Sequence, residues 1–130
     1  MKRIITLAAG LAFALCGPAS AATNWNAAKP DANTKAHAGI INTNGSVIAG
    51  TGFTVTHNAT GMYTIVFPNN TFKACPAVNV TPAGGNGGIP IANVYGYGCS
   101  NGGATIVITI NSIETSASQD NAFHFSTTDI

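Results

Sequence analysis

The chain has 130 residues, of which only 7% are charged: five are Lys or Arg and four are Asp or Glu, for a formal net charge of +1. Its single arginine is Arg3, so the rest of the chain lacks the positive surface that binding to nucleic acid or an anionic membrane requires. The length allows one domain, whose surface must be built from Asn, Thr, Ser and Gly. Because few charges would repel a second copy, the composition allows self-association into a homo-oligomer.

The N-terminus has the pattern of a cleaved signal peptide over residues 1–21. Lys2 and Arg3 precede an apolar run over residues 4–15, and the small residues 19–21 match a signal-peptidase site. The apolar run is too short to span a bilayer, which needs about 20 residues. The sequence therefore predicts a secreted or periplasmic protein without a membrane span.

The three cysteines have different expected fates. Cys16 leaves with the signal peptide, unless it is acylated as in a lipoprotein, an alternative that Leu15 before it disfavours. Cys75 and Cys99 then remain, and in an oxidising compartment they are predicted to form a disulfide. Neither lies in a C-x-x-C pair or near a histidine at ligand spacing, so a metal site is not expected.

Residues 22–36 lack apolar periodicity and are predicted to be an extended lead-in or linker, whereas residues 37–130 have the pattern of an all-β domain. Apolar residues alternate with polar ones in short runs, which are separated by turn sequences such as Asn44-Gly45. Seven or eight antiparallel strands at this spacing predict a β-sandwich of the jelly-roll type, with an immunoglobulin-like topology as the alternative. The predicted strands cover residues 40–41, 47–48, 53–57, 62–67, 78–80, 91–97, 105–110 and 123–127.

No set of residues predicts an active site, a cofactor or a metal centre. The histidines at 37, 57 and 124 lie far apart in sequence, and His57 is expected to be solvated or to cap a turn. Glu114 and Asp120 are the only neighbouring acids, and their polar surroundings predict solvated loop carboxylates. The chain is therefore predicted not to be an enzyme.

Two groups of residues are candidates for contact with a partner. Tyr95 and Tyr97 alternate along a strand beside Gly- and Asn-rich loops that include Asn101, and aromatic rings beside amides are typical of carbohydrate sites. His124 lies between Phe123 and Phe125, so it faces away from the core if those rings are buried, and it is a candidate interface residue.

The order and spacing of several β sequences resemble a bacterial and phage module found at the heads of fibre-like proteins. That module is similar in outline to C1q-type jelly-roll heads and H-type lectin domains. The resemblance covers most of residues 38–128 and rests on the segments Gly50-Thr51-Gly52-Phe53-Thr54-Val55, Thr60-Gly61-Met62-Tyr63-Thr64-Ile65-Val66-Phe67, Pro76-Ala77-Val78 and Ala122-Phe123-His124-Phe125.

The resemblance implies a compact β-sandwich, often trimeric, that acts in binding or as a structural tip and has no catalytic residues. The leading hypothesis is therefore a non-enzymatic recognition or surface module that binds a glycan or another cell-surface ligand. The alternative is a subunit of an extracellular polymer, assembled by edge-to-edge strand pairing.

Overall fold

The computed structural model describes residues 35–84 and 88–130. The predicted signal peptide, nearly all of the predicted lead-in and part of the predicted glycine-rich loop at 82–88 lie outside these ranges. The described chain forms eight strands: β1 (Ala36–Ile41), β2 (Val47–Ala49), β3 (Thr54–Ala59), β4 (Met62–Phe67), β5 (Ala77–Pro82), β6 (Pro90–Ser100), β7 (Gly103–Ser112) and β8 (Phe123–Thr128). The prediction of an all-β domain is confirmed.

The strands form two antiparallel four-stranded sheets. The first sheet has the order β2-β1-β8-β5, and the second has the order β3-β4-β7-β6. The first and last strands pair with each other inside the first sheet, whereas the immunoglobulin arrangement places its first and last strands in different sheets. The order therefore excludes the immunoglobulin topology and agrees with the predicted jelly-roll-like sandwich.

The core lies between the inner faces of the two sheets, as the alternating sequence pattern predicts. In β4 the alternating residues Tyr63, Ile65 and Phe67 are buried, and in β8 Phe123 and Phe125 are buried. The isoleucines of β7 at 106, 108 and 110 lie against them. Because every second side chain of a strand points to the same face, these apolar runs pack together when the sheets stack.

The β6–β7 hairpin turns at Asn101 and Gly102. Both residues have positive φ angles, 50° and 71°, as a tight type I′ turn requires. The loop after β4 is held to this turn, because the Asn70 and Phe72 amides donate hydrogen bonds to the carbonyls of Asn101 and Gly102 (2.9 and 2.8 Å). The end of β4 and the end of β6 are thus joined by backbone contacts.

Cys75 and Cys99 form the predicted disulfide, with a Cα–Cα distance of 5.6 Å. Cys75 precedes β5 and Cys99 lies in β6, which are edge strands of different sheets. The bridge therefore ties one sheet to the other. Beside it, the Asp129 carboxylate accepts hydrogen bonds from the Lys73 and Ala74 amides (2.9 and 3.0 Å), which lowers the pKa of that carboxyl.

Candidate functional site

The predicted tyrosine surface lies on β6, an edge strand of eleven residues. The side chains of Tyr95 and Tyr97 are largely exposed, at 74% and 59%. Among the described residues β6 pairs only with β7, so its outer edge has unpaired backbone donors and acceptors. The strand thus combines exposed aromatic rings with an open edge.

A β-bulge at Tyr95 interrupts the alternation predicted for the two tyrosines. Val94 pairs with Ile108 and Tyr97 pairs with Ile106, so three steps along β6 correspond to two along β7. Residues that pair directly across strands share a face, which places Tyr97 on the face of the buried Ile106. Tyr95 is the extra residue of the bulge, so the two rings do not form one flat aromatic platform.

Asn101, the amide predicted to accompany the tyrosines, serves the hairpin turn. It is exposed, adopts the left-handed conformation that Asn tolerates, and accepts the Asn70 amide hydrogen bond on its carbonyl oxygen. Its position at the end of β6 places it at the same end of the sandwich as the disulfide.

A contact between His57 and Asp120 was not predicted. The Asp120 Oδ1 atom lies 2.8 Å from His57 Nε2 and accepts a hydrogen bond from the Gly61 amide at 2.7 Å. The His57 ring stacks on Tyr63, with centroids 4.8 Å apart and planes 21° apart. Both side chains are partly exposed, at 27% for His57 and 39% for Asp120. Their contact joins residues 63 positions apart, so it depends on long-range folding.

The hydrogen bonds around the His57–Asp120 pair shift the pKa values of the neighbouring groups. The Gly61 amide, followed by His57, lowers the pKa of the Asp120 carboxyl. Burial, together with the nearby Asp120 charge, raises the pKa of Tyr63 to about 12. The Tyr63 hydroxyl also donates a hydrogen bond to the Thr43 carbonyl (2.7 Å). These contacts join the β3–β4 hairpin to the β7–β8 connection and to the loop between β1 and β2, which is a structural role.

His124 lies on the outer face of the first sheet. It is exposed between the buried Phe123 and Phe125, and its cross-strand neighbours are Ile40 and Thr81. It also borders a shallow depression of about 340 Å³ that Ala38 and Ala49 line. The proposed interface role of His124 remains a prediction.

Within residues 35–84 and 88–130 there is no group of three or more His, Cys, Asp or Glu side chains that could hold a metal ion. The described part of the chain also contains no helix long and apolar enough to cross a membrane.

Comparison with family models, with curated proteins and with solved structures gave no match for this chain.

Proposed function

We propose that this domain is a secreted or periplasmic recognition module without enzymatic activity, which binds a glycan or another cell-surface ligand through β6. The observation that supports it best is the exposure of Tyr95 and Tyr97 on a strand without charged residues. A tyrosine ring offers a large apolar surface and a polar hydroxyl, and few rotatable bonds must be ordered when it binds.

The backbone around the tyrosines supports the same proposal. Gly96 and Gly98 alternate with them, and a Cβ atom built at either glycine would meet no atom within 4 Å. The backbone beside the rings therefore carries no side chain and is accessible, so that a ligand can approach it closely.

The test is binding of the oxidised protein to a glycan array and to intact cells, with Tyr95→Ala, Tyr97→Ala and the double variant. We expect the double variant to lose about tenfold or more in affinity, as truncation of aromatic anchors does. Ile48→Ala is the matched control, because Ile48 is 61% exposed but lies on β2 of the first sheet. Equal loss in Ile48→Ala, or none in the double variant, would contradict the role of β6.

The open edge of β6 supports a second candidate function, a subunit of a homotrimer or of an extracellular polymer. Natural edge strands are commonly protected by charged side chains, and β6 contains none. Light scattering and electron microscopy of the concentrated protein would reveal a trimer or filaments. Asn93→Lys adds a charge to this strand and is expected to abolish β6 pairing, whereas His124→Ala is expected to dissociate a trimer that uses the first sheet.

A further inference from the structure

The outward face of the second sheet is uncharged. One row across it consists of Thr54, Val66, Thr105 and Gly98, which are joined by direct cross-strand pairing. The neighbouring positions Ile65, Phe67, Ala104 and Ile106 are buried, so the row itself faces outward. All eight described strands lack Lys, Arg, Asp and Glu.

A depression in this face lies over Gly98. Its volume is about 500 Å³, within the range of small-molecule sites, and Cβ of a residue replacing Gly98 would meet no atom within 4 Å. Its lining includes Val66, Pro68, Asn69, Gly98, Ser100 and Thr105.

The walls of the depression are held in place by the fold. Asn69 and Pro68 belong to the loop whose next residues, Asn70 and Phe72, bond to the β6–β7 turn. Cys99 also lines the depression, and its disulfide ties β6 to the segment before β5. A site built before the ligand arrives loses less conformational entropy on binding, which favours affinity.

The lining has the chemistry of a sugar-binding surface. Val66, 38% exposed, and Pro68 offer apolar contact, while Asn69, Ser100 and Thr105 offer amide and hydroxyl groups. A pyranose ring likewise has a C–H face and hydroxyl edges. Because no charged side chain lines the depression, a sulfated, phosphorylated or sialylated ligand would find no counter-charge there.

We propose that this depression over Gly98 binds one unit of a neutral saccharide. The inference rests on the proposed recognition function and adds to it a position, separate from the tyrosine side chains, and a ligand class.

The test places a side chain in the depression without disturbing the fold. Gly98→Val places a side chain in open space on a strand, where a β-branched residue is favoured over glycine. Thr56→Val is the control, because Thr56 is an exposed residue of β3 on the same outward face of the second sheet. It belongs neither to β6 nor to the lining of the depression, and its variant is also a valine. Thr105→Val, which removes one hydroxyl at nearly constant volume, is a second variant that does not depend on the glycine.

The probes are neutral gluco-, galacto-, manno- and N-acetylglucosamine oligosaccharides, arrayed beside sialylated and sulfated ones. We expect about a tenfold or greater loss of affinity for a neutral oligosaccharide in Gly98→Val, a smaller loss in Thr105→Val and none in Thr56→Val. Thermal unfolding of all three variants should match or exceed that of the wild type.

The alternative outcomes separate this inference from the proposed function. If Gly98→Val binds as the wild type does while the double tyrosine variant does not, the module binds its ligand but not over Gly98. Equal loss in Thr56→Val, or a preference for acidic glycans, also overturns the inference and leaves recognition standing. If the wild type binds neither glycans nor cells, both proposals are wrong.

Discussion

Replacing Cys75 and Cys99 together by alanine tests what the disulfide contributes to stability. The two cysteines are separated by 24 residues, and for a closed loop of this size the chain-entropy relation gives about 3.5 kcal/mol at 25 °C. For a domain of about 100 residues, this corresponds to a decrease in Tm of roughly 14–28 °C. Since marginally stable domains have about 5–15 kcal/mol in total, the loss would be a large fraction of the free energy of unfolding.

The assay is equilibrium urea unfolding of the oxidised wild type and of the double variant, followed by circular dichroism. Reduced and alkylated wild type is the control for the alanine side chains. Because the bridge joins two edge strands of different sheets, amide hydrogen exchange should accelerate more in β5 and β6 than in β4. A loss below about 1 kcal/mol, or uniform acceleration in all strands, would refute the assigned role.

Three further predictions concern the loops and the core. The pKa values of Asp120 and Asp129 are lowered in the fold, chiefly by backbone amides, so their contribution is present at neutral pH and lost as pH falls below about 4. The urea midpoint of the wild type should fall between pH 6 and pH 2. When Asp120 and Asp129 are both replaced by Asn, this decrease should be smaller. Tyr63→Phe removes the hydrogen bond to Thr43 and should cost about 1 kcal/mol in urea unfolding, and an unchanged midpoint would contradict that bond. Gly39→Ala places Cβ 2.5 and 2.6 Å from two phenylalanine rings and should lower stability by roughly 1–3 kcal/mol, whereas an unchanged Tm would show that the rings can move away.

The strands could be predicted because their signal is local. Tyr63, Ile65 and Phe67 alternate with less buried residues over six positions, and the face that each residue takes follows from the period of two. The disulfide was also predictable, since Cys75 and Cys99 are the only cysteines outside the predicted signal peptide. Neither signal indicates which strands are neighbours.

The features that could not be predicted depend on register or on distant contacts. No local pattern connects His57 with Asp120, because their approach requires β3 and the β7–β8 connection to meet in space. The alternation of apolar and polar residues does not predict the bulge at Tyr95 either, although the glycines near Tyr95 are compatible with a bulge. One inserted residue is enough to move Tyr97 to the other face of the sheet.

The confinement of Lys, Asp and Glu to loops and chain ends has a kinetic consequence for the described domain. Without charged strand residues, the second sheet has no local field to steer an approaching partner, so encounters occur by unassisted diffusion and docking at roughly 10⁵–10⁶ M⁻¹ s⁻¹. Ionic strength should then change the association rate little, in contrast with charged binding surfaces. High affinity for a ligand at this face therefore requires a low dissociation rate. Alternatively, several copies of the domain can bind the same target surface simultaneously, which raises the avidity.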